Sequence, residues 1–475
     1  MRADVKADLG IIGAGSAGLA IAAGAQQMGA RCVLIEGNHM GGDCLNYGCV
    51  PSKALLAAGK AAQGHHHAAA CGVQYAPPAV PFKAVHDHVH GVIANIAPND
   101  SQERFEGLGV QVLRGHAAFT GPRDVDVSGS RVRARRFVIA TGSTAAIPPI
   151  PGLAETPYLT NETIFDLTEA PEHLIVIGGG PIGTELGQAF AHLGSCVSIV
   201  EMSRLLPASD PDAADVLRHR LQAQGVALHE TATVTGVERA GNGVAVTLSD
   251  AAGGTQLTGS HLLVAAGRRP VLDGLGLDAA GIAHSDGRLV VDARLRTSNK
   301  RVFAAGDVAG GPQFTHVAGY HAGIVIKNAL FRLPAKADHS AVPAVTYTSP
   351  EIAAVGLTAA QAKDRHGDGV RVLTWPFADN DRAQAERDTS GFVKAVTTAK
   401  GRILGCTIVG AHAGELIQPW LLALQKGLKI GALAQMIAPY PTLGEASKRA
   451  AGGFYTERLF APRTRRLVRL LQLLG

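Results

Sequence analysis

A chain of 475 residues exceeds what one hydrophobic core usually organises, so the sequence predicts two to four domains. Its 58 glycines and 46% apolar content, with only 5% aromatic residues, favour an α/β protein with many tight strand-to-helix turns. The formal charge of +5 is small for this length and predicts no nucleic-acid partner, and six cysteines argue against a disulfide scaffold.

The first predicted elements are a strand over residues 9–12, a glycine turn, an alanine-rich helix to about residue 28, and a strand over residues 32–35 that ends in Glu36. The turn contains Gly13, Gly15 and Gly18. The first glycine turns the chain tightly, the second lets the backbone approach a pyrophosphate, and the third lets the helix pack close to the strand. The helix N-terminus then offers free N–H groups to phosphates. This unit predicts a dinucleotide site.

Cys44 follows Glu36 by eight residues, and Cys49 follows Cys44 by five. Thiols at this spacing can close a small, reducible ring, and a lone pair in a reducing cytoplasm is more often catalytic than structural. The sequence therefore predicts a redox disulfide beside a redox cofactor. The alternative is a metal site, but zinc needs further thiol or imidazole ligands, and His39 is the only nearby candidate. We therefore predict no metal.

The glycine pattern recurs after a predicted strand over residues 174–177, with Gly178, Gly180 and Gly183 opening a helix to about residue 193. A strand over residues 197–200 and Glu201 complete the unit. Each copy places its acidic residue 23 positions after its first glycine. The alternative, ordinary glycine turns, is disfavoured because both copies have the strand-turn-helix context. Two dinucleotides are therefore predicted.

The remaining chain divides into recognisable segments. Residues 54–97 are predicted to be mostly helical, and residues 110–136 to form small strands. Three apolar runs that end in small residues, 137–142, 262–267 and 302–307, are typical of buried parallel strands. Beyond about residue 342 the pattern predicts a separate α+β domain. No segment is long and apolar enough to span a bilayer, which predicts a soluble cytoplasmic protein.

Together, the dithiol, the paired glycine fingerprints and the motifs at residues 140–143, 264–270, 303–307 and 347–351 resemble the FAD-dependent pyridine nucleotide–disulfide oxidoreductases. This family includes dihydrolipoamide dehydrogenase, glutathione reductase and mercuric reductase. The resemblance implies two Rossmann-like doubly wound nucleotide-binding domains and a C-terminal α+β dimerisation domain in a homodimer. The implied boundaries are 1–150 and 273–341 for the two parts of the FAD-binding domain, 151–272 for the NAD(P)-binding domain, and 342–475 for dimerisation.

The resemblance also implies roles for single residues. FAD would be held by Gly13, Gly15, Gly18, Glu36 and, at its ribityl chain, Asp307. The nicotinamide nucleotide would be held by Gly178, Gly180, Gly183 and Glu201, and the cofactor-binding set also includes Gly42, Lys53, Thr141, Gly142 and Gly267.

The implied catalytic residues begin with the dithiol. Cys49 would be the charge-transfer thiolate next to the flavin, and Cys44 the interchange thiol that meets the acceptor. Lys53 would lie by flavin N5 and pair with Glu185, although a lysine in this position taken alone is an ordinary exposed helix residue. A positive neighbour would lower the pKa of Cys49 below the usual value of about 8.5. Electrons would then pass from nicotinamide to flavin to disulfide.

The sequence departs from the family at position 440. Reductases of large disulfides in this family usually carry His-Pro-Thr followed by a glutamate, a dyad that shuttles protons, whereas here Tyr440 precedes Pro441 and Thr442, with Glu445 following. An unperturbed tyrosine has a pKa near about 10, against about 6.5 for histidine, and is poorly matched to proton transfer at neutral pH. Tyr440 and Glu445 of the partner subunit would complete each site.

Mercuric reductases resemble this chain in placing a tyrosine there, and their acceptor is a metal ion. They also carry a C-terminal cysteine pair, whereas this chain has no cysteine after Cys406. We therefore predict an NAD(P)H-dependent FAD oxidoreductase with a small-molecule or metal-ion acceptor, similar to mercuric reductase. The alternatives are a disulfide reductase of the dihydrolipoamide dehydrogenase or glutathione reductase type, and a vestigial flavoprotein that binds a partner at a membrane.

Some residues carry secondary predictions. The Glu201 carboxylate would bind a ribose 2′-OH and repel a 2′-phosphate, which favours NADH and keeps NADPH as the alternative because Arg204 is near in sequence. The C-terminal residues 463–475 predict a basic amphipathic helix, either packed on the dimer or in peripheral contact with a membrane. We interpret the remaining cysteines as buried apolar residues and the histidine groups as solvated: Cys32, Cys71, Cys196 and Cys406; His65, His66, His67, His86, His88 and His90.

Overall fold

The computed structural model describes residues 4–249 and 253–473. Within these ranges the strands are β1 (Asp4–Ile12), β2 (Cys32–Glu36), β3 (Gln111–Arg114), β4 (Ala117–Gly121), β5 (Asp124–Val127), β6 (Ser130–Ile139), β7 (Ser143–Ala145), β8 (His173–Ile177), β9 (Cys196–Glu201), β10 (Ala227–Glu230), β11 (Thr233–Ala240), β12 (Gly243–Ser249), β13 (Thr255–Gly259), β14 (His261–Val264), β15 (Arg268–Pro270), β16 (His284–Ser285), β17 (Arg288–Leu289), β18 (Val302–Ala304), β19 (Ala344–Thr346), β20 (Glu351–Gly356), β21 (Val370–Pro376), β22 (Phe392–Thr398) and β23 (Ile403–Gly410).

The α-helices of the same ranges are α1 (Ser16–Gln27), α2 (Gly42–Asn46), α3 (Cys49–Ala62), α4 (Gly64–Ala70), α5 (Phe82–Ile96), α6 (Gln102–Gly107), α7 (Pro181–His192), α8 (Pro211–Ala223), α9 (Thr315–Ala329), α10 (Ala359–His366), α11 (Asp381–Ala385), α12 (Ala413–Leu416), α13 (Gln418–Gln425), α14 (Gly431–Ala434), α15 (Glu445–Leu459) and α16 (Pro462–Leu471). Short 3₁₀ segments lie at Ala97–Asp100, Ile164–Asp166, Asp307–Ala309, Gly367–Gly369 and Phe377–Asp379.

The described residues form two compact units. The first comprises the described residues 4–58, 80–178, 234–249 and 253–339, and the second comprises residues 59–79, 179–233 and 340–473. The helical segment predicted over residues 54–97 corresponds to α3, α4 and α5, and the small strands predicted over residues 110–136 correspond to β3 to β6. The domain boundaries inferred from the sequence stay predictions.

A seven-stranded sheet forms the centre of the first unit. Its order is β3-β2-β1-β6-β5-β4, with β18 also paired to β6. β1 pairs in parallel with β2 and β6, whereas β4, β5 and β6 pair antiparallel. All five residues of β2 are buried, as expected for a strand covered on both faces. Helices α1 and α9 pack against each other beside this sheet. The predicted parallel α/β core is confirmed.

The second glycine fingerprint has the same local layout as the first. β8 ends at Ile177 and pairs in parallel with β14 within the first unit. In the second unit, α7 begins at Pro181, and β9 pairs in parallel with β10 and ends at Glu201. Each fingerprint therefore lies between the end of a strand and the start of a helix, as the sequence predicts.

The C-terminal part of the second unit contains a five-stranded antiparallel sheet in the order β19-β20-β23-β22-β21. The apolar residues of β23 are all buried, and α13 and α15 pack on the sheet. The core contains Phe377, Trp420 and Phe454, and the indole N–H of Trp420 donates to Ser447 Oγ at 3.0 Å. This arrangement confirms the predicted α+β domain.

Two of the four cysteines outside the dithiol contradict the prediction of burial. Cys32 and Cys406 are buried, but Cys71 and Cys196 are exposed. Cys71 follows α4, a short helix with no buried residue, and Cys196 is the first residue of β9, before that strand enters the core. Within residues 4–249 and 253–473, no helix has both the length and the apolar character needed to cross a bilayer.

Candidate active site

The first glycine turn lies at the carboxyl edge of the parallel sheet, directly after β1. Gly13 has a φ of +106°, and a Cβ built on it would lie 2.4 Å from the Ala140 carbonyl oxygen. A Cβ on Gly18 would lie 1.8 Å from the carbonyl oxygen of Gly13. The turn therefore excludes side chains at both positions, because it packs directly against neighbouring backbone.

Glu36, the last residue of β2, is tied to the same turn. One carboxylate oxygen accepts a hydrogen bond from Ala14 N at 2.6 Å, and the other accepts one from Asn38 N at 2.6 Å. The side chain is only 9% exposed. The turn and the strand end are thus held in one arrangement, as expected for a carboxylate that faces a ribose.

The segment that carries the cysteines packs on this turn. Gly42 has a φ of +61°, and a Cβ built on it would lie 2.7 Å from Gly15 Cα. Gly15 immediately precedes α1, so the approach is to the backbone at the helix N-terminus. Glycine at position 42 therefore allows the dithiol segment to lie against the predicted phosphate site, and the structure brings these two predicted sites together.

Cys44 lies in α2, and Cys49 is the first residue of α3. Both are thiols in the structure and their side chains share a hydrogen bond. This bond from Cys44 lowers the pKa of Cys49 to about 6, against the opposing effect of burial. The same bond, together with burial, raises the pKa of Cys44. The reduced pair therefore shares one proton near neutral pH, with Cys44 as donor and Cys49 as thiolate.

Further groups stabilise the Cys49 thiolate. The Thr315 hydroxyl oxygen lies 3.3 Å from Cys49 Sγ and also lowers its pKa, followed by the charge of Lys53. Lys53 is one turn further along α3, so the two side chains share a helix face. The position of Cys49 at a helix N-terminus acts in the same direction. Sequence reasoning identified Lys53 but missed Thr315, which opens α9 after a glycine-containing loop.

A polar network connects the dithiol segment with the loop of Asp307. Arg268 donates to Asp43 Oδ1 at 3.0 Å and, through Nε, to Ser143 Oγ at 2.8 Å. The Ser143 hydroxyl in turn donates to Asp307 Oδ2 at 2.5 Å. The Arg268 side chain is only 13% exposed, so these contacts are largely protected from water. Sequence reasoning identified Asp307 and placed Ser143 and Arg268 in family motifs without giving them a role, but it missed Asp43.

Asn161 adds a second contact to this network. Its side-chain amide donates to Asp43 Oδ1 at 3.0 Å and to the Tyr47 carbonyl oxygen at 3.2 Å. The residue is only 6% exposed. It therefore holds the turn between the two cysteines from one side while Arg268 binds Asp43. Sequence reasoning gave no indication of Asn161, which lies in an irregular segment.

The Asp307 loop is also held from the side of α9. The fully buried His321 accepts the Gly306 N–H at Nδ1, 3.2 Å away, and its Nε2 lies 2.8 Å from Nε2 of His339. Burial, and secondarily His339, lowers the pKa of His321 to about 4. The ring is therefore neutral near pH 7, and its accepting Nδ1 places the proton on Nε2, which donates to His339. Burial also raises the pKa of Asp307, against the hydrogen bond from Ser143.

The neighbouring predicted residues Thr141 and Gly142 also belong to the first unit. Thr141 Oγ1 donates to the Val271 carbonyl oxygen at 2.7 Å, and Gly142 has a φ of +69°. Strands β7 and β15 pair beside them, which brings Gly267, with a φ of +128°, to the same edge. These three residues thus line the strand ends that face the first glycine turn, and their cofactor contacts stay predictions.

The second glycine turn repeats the construction of the first. A Cβ on Gly178, which has a φ of +114°, would lie 2.4 Å from the Ala265 carbonyl oxygen. Glu201 accepts from Gly179 N at 2.8 Å through one oxygen and from Ser203 N at 3.0 Å through the other. Two carboxylates that end corresponding strands therefore bind corresponding turn amides.

The start of α7 follows this turn. Gly180 is the N-cap of the helix in an extended conformation, and Gly183 is buried within the first helical turn. Arg204 is the residue that keeps NADPH as the alternative to NADH in the sequence prediction. Its side chain donates a hydrogen bond to the carbonyl oxygen of Ser209 at 3.3 Å. Its guanidinium is thus engaged with its own loop.

Glu185 lies in the middle of α7 and is only 6% exposed. Its Oε1 accepts the Tyr347 N–H at 2.9 Å within the second unit. This contact joins the helix after the second glycine turn to the segment that opens the C-terminal domain. The pairing of Glu185 with Lys53 stays a prediction.

Tyr440 is 69% exposed in this chain. Its hydroxyl donates to Asp381 Oδ2 at 2.8 Å, and this hydrogen bond is the main cause that raises the pKa of the phenol. Glu445 is the first residue of α15 and accepts from Arg449 Nε at 3.0 Å. Asp381, 59 positions earlier in the chain, thus orients Tyr440, and Arg449, four positions later, orients Glu445. The phenol is held in its neutral form.

Comparison with known proteins identifies the family. The family model described as pyridine nucleotide-disulphide oxidoreductase matches residues 7–322, and the dimerisation domain of the same family matches residues 342–451. The chain belongs to the pyridine nucleotide-disulphide oxidoreductases. Family members are enzymes that contain FAD and use NAD(P)H, and the dimerisation domain supports a homodimer. These statements confirm the corresponding predictions.

The relatives of this pyridine nucleotide-disulphide oxidoreductase are named after different substrates. A mercuric reductase from Streptomyces lividans is 37% identical over 465 residues, which cover 96% of this chain and 98% of that protein. A dihydrolipoyl dehydrogenase from Thermus scotoductus is 37% identical over 473 residues and covers 95% of this chain and 98% of its own. Equal identity to both means that overall similarity does not identify the acceptor.

A solved structure shows the same fold. The HOCl-induced flavoprotein disulfide reductase RclA from Escherichia coli, in its Cu(II) complex, is 30% identical with a TM-score of 0.85. The alignment covers 94% of this chain and 99% of that chain. The predicted arrangement of nucleotide-binding domains with a C-terminal dimerisation domain is thereby confirmed.

The residues of this pyridine nucleotide-disulphide oxidoreductase fit FAD and a nicotinamide nucleotide. Among the described atoms, none lies within 4 Å of a Cβ built on Gly142, Gly180 or Gly267, so these backbones face open space that a side chain would fill. Gly13 and Gly178 instead press on neighbouring strands, which leaves the turn amides at the helix N-termini available to phosphates. When bound, FAD supplies the two-electron carrier between nicotinamide and disulfide.

The histidine groups do not gather further ligands. None of His65 to His67, His86, His88 and His90 is buried, and His90 Nε2 instead lies 3.1 Å from the Phe165 carbonyl oxygen. In residues 4–249 and 253–473 the structure shows no cluster of three histidine, cysteine or acidic side chains that could hold a metal ion.

Proposed function

We propose that this enzyme passes two electrons from NAD(P)H through the Cys44–Cys49 disulfide to a small acceptor, and that this acceptor is a thiophilic metal ion of the Hg(II) or Cu(II) class. The observation that carries the proposal is the hydrogen bond from the Tyr440 hydroxyl to Asp381. A cytoplasmic location, where NAD(P)H is supplied and the dithiol is kept reduced, belongs to the proposal.

Tyr440 argues against a large disulfide as acceptor. A departing thiolate needs a proton from a group whose pKa lies near the working pH. The phenol begins near a pKa of about 10, and its hydrogen bond to Asp381 raises that pKa further. Its proton is therefore held by Asp381 rather than exchanged with an acceptor. Tyr440 supplies a neutral hydroxyl where a disulfide reductase of this family would have a titrating imidazole.

A metal ion does not need that proton. Thiolate is a soft ligand that prefers soft or borderline cations, and the low pKa of Cys49 keeps one sulfur deprotonated near pH 7. Binding of the metal by Cys44 displaces the proton that the two thiols share. The names of the relatives support this class, since one is a mercuric reductase and RclA has been solved as a Cu(II) complex.

The proposed reaction balances without an additional reductant. NADH reduces the disulfide to one thiol and one thiolate and yields NAD⁺. The reduced pair then gives two electrons to one Hg(II), forming Hg(0), or to two Cu(II), forming two Cu(I), and releases its one proton as the sulfur–sulfur bond reforms. Each cycle therefore consumes one NADH for each pair of electrons transferred.

We further propose NADH as the preferred donor. Both oxygens of Glu201, the last residue of β9, accept backbone hydrogen bonds, one from Gly179 N in the glycine turn and one from Ser203 N, which holds the carboxylate at the expected ribose position. A 2′-phosphate there would meet a negative charge. Arg204 is bound to the Ser209 carbonyl oxygen and offers the phosphate only partial compensation.

The second candidate is a disulfide reductase of the dihydrolipoyl dehydrogenase type. It is supported by the equal identity to the Thermus scotoductus enzyme and by Glu445, which stands where that class has its dyad glutamate. The two candidates differ only in the acceptor, because they share the donor site and the dithiol.

A steady-state assay of the FAD-loaded homodimer distinguishes them. NADH and NADPH oxidation is measured against Hg(II), Cu(II), lipoamide and oxidised glutathione. We expect the highest kcat/KM with a metal ion and with NADH. A higher kcat/KM for lipoamide or glutathione would overturn the metal-ion proposal, and a higher value for NADPH would overturn the role of Glu201.

The matched control is Cys71→Ser, which removes an exposed thiol outside the dithiol. This variant should keep the full metal-dependent rate, because a surface thiol can bind the ion without passing electrons to it. Retention of FAD with no turnover toward any of the four acceptors would instead favour a vestigial flavoprotein.

A further inference from the structure

The whole excess charge of the protein lies at its C-terminus. The sequence has 44 lysine and arginine residues against 39 acidic ones, and residues 458–475 contain five arginines and no lysine, aspartate or glutamate. The rest of the chain therefore balances 39 basic against 39 acidic side chains. A globally neutral molecule thus carries one concentrated positive segment, which has no counter-charge of its own.

Helix α16 separates these arginines from its apolar residues. At about 100° per residue, Leu467, Val468, Leu470 and Leu471 share one side of the helix, and Arg465, Arg466 and Arg469 share the other. Arg463 lies at the border in the first turn. The helix begins at Pro462, whose ring suits the first helical position. Two distinct faces of this kind are typical of helices that lie at an interface.

The apolar face is uncovered in the chain. The exposed fractions are 54% for Leu467, 47% for Val468, 59% for Leu470 and 53% for Leu471, and no described residue of α16 is buried. Phe460, just before the helix, is 63% exposed. A contiguous apolar surface of this kind, bordered by arginines, is the pattern of an interaction site.

The helix also lies outside the part of the chain that the family explains. The match to the dimerisation domain ends at residue 451, within α15, and α16 begins eleven residues later. The helix has ten residues, or roughly 15 Å of length at 1.5 Å per residue, half of what a span of the bilayer core requires. It can therefore lie along a membrane surface but cannot cross it.

We propose that α16 is a peripheral membrane anchor that binds the anionic lipid surface. Its arginines would face lipid headgroups, and the leucine side would enter the boundary between headgroups and acyl chains. Anionic lipid fits better than a second copy of the helix, because it offers negative headgroups to the arginines and acyl chains to the leucines, whereas a second copy would cover the leucines and leave the arginines without counter-charge. The proposal is independent of the electron acceptor.

The test uses the FAD-loaded full-length protein and sedimentation with vesicles. One set of vesicles contains phosphatidylcholine and phosphatidylglycerol in equal parts, and the other contains phosphatidylcholine alone. We expect binding only to the anionic vesicles, with strong weakening as salt shortens the screening length. Failure of the wild-type protein to bind anionic vesicles at low salt would overturn the proposal.

Two variants examine the two faces. Arg465→Gln, Arg466→Gln and Arg469→Gln together should reduce the partition coefficient about 100-fold, since each arginine near an anionic surface contributes substantially. Leu467→Gln with Leu471→Gln should reduce it roughly tenfold by removing apolar insertion. Neither variant should change NADH oxidation in solution more than about twofold, which verifies the fold and cofactor content.

A charge-matched control separates a local site from general attraction. Lys363→Gln, Arg365→Gln and Lys400→Gln remove three exposed positive charges elsewhere in the second unit. This control should bind like the wild type. Equal loss in the control, or equal binding by the α16 variants and the wild type, would overturn the proposal. Sedimentation velocity measures the oligomeric state of the Leu467→Gln, Leu471→Gln variant. If this variant is monomeric, the proposal is also overturned, because α16 would then be an interface between copies.

Discussion

Around the dithiol, Arg268 joins Asp43 to Ser143 and Ser143 binds Asp307, while Thr315 makes a separate contact with Cys49. Around Tyr440, one hydrogen bond to Asp381 orients a side chain that is 69% exposed. Electron transfer to a disulfide requires reacting groups in fixed positions, whereas under the proposed function the choice of acceptor depends on one accessible group. The difference indicates that the surroundings of the dithiol tolerate few substitutions, whereas the surroundings of Tyr440 tolerate more.

The largest effect on activity is expected from removing the interchange thiol, Cys44. Cys44→Ser should lower acceptor-dependent NADH oxidation at least about 1,000-fold, because no disulfide can form and no other group replaces the lost nucleophile. The FAD content, measured by absorbance, should stay unchanged. Retention of more than about a tenth of the wild-type rate would show that the electrons leave the flavin by another route.

A smaller but more informative effect is expected from Tyr440→His. An imidazole with a pKa near about 6.5 can return a proton to a departing thiolate, and such transfer is typically worth about 10²-fold or more. We expect kcat/KM for lipoamide to rise roughly 10- to 100-fold, with little change for metal ions. The comparison requires matched FAD content. An unchanged lipoamide rate would mean that another feature sets acceptor choice.

The network around Arg268 predicts a contrast between adjacent arginines. Arg268→Met removes a largely buried guanidinium from Asp43 and Ser143 and should weaken FAD binding about tenfold. Arg269→Met removes a side chain that is 55% exposed and pairs with Asp273, which is 82% exposed, so FAD affinity should stay within about twofold. Fluorescence titration of the apoprotein with FAD measures both. Equal effects would show that the network does not position the cofactor site.

The parts of this site that were predictable are local in sequence. The glycine turns, the strands before them and the acidic residues after them fall within short windows, and the backbone requirement for glycine at positions 13 and 178 is visible in the spacing. The dithiol was predictable for the same reason. Even so, local patterns do not report exposure, which is why Cys71 and Cys196 were wrongly assigned to the core.

The parts that were missed depend on long-range contacts. Arg268 meets Ser143 because β15 pairs with β7, a contact between residues 125 positions apart. Thr315 reaches Cys49 across 266 positions, and His321 meets Gly306 through the fold of α9. The motif at 264–270 includes Arg268 without naming its partner, and a lone Thr or His in a sequence carries no signal of a partner at all. Tertiary structure is needed because side-chain networks are determined by packing rather than by period or spacing.

The lowered pKa of Cys49 predicts a pH dependence for the dithiol network. The pKa of Cys49 is lowered to about 6, so the thiolate dominates above this pH and becomes protonated as the pH falls through it. In the reduced enzyme, the thiolate-to-flavin charge-transfer absorbance should therefore fall about tenfold between pH 8 and pH 5. Cys49→Ser is the control and should lack this absorbance. A midpoint near the ordinary thiol pKa of about 8.5 would contradict the assigned hydrogen bond from Cys44.

The smallest effect is expected from Tyr440→Phe, which keeps the ring and removes only the hydroxyl bound to Asp381. Because the phenol pKa is raised and the proton stays on the oxygen, the hydroxyl does not titrate during turnover near pH 7. Metal-dependent kcat should therefore change less than about threefold, and its pH profile should keep its shape. A large loss of kcat, with a shifted basic limb, would show that Tyr440 itself transfers a proton. In that case the surroundings of Tyr440 would be as sensitive to substitution as the dithiol network.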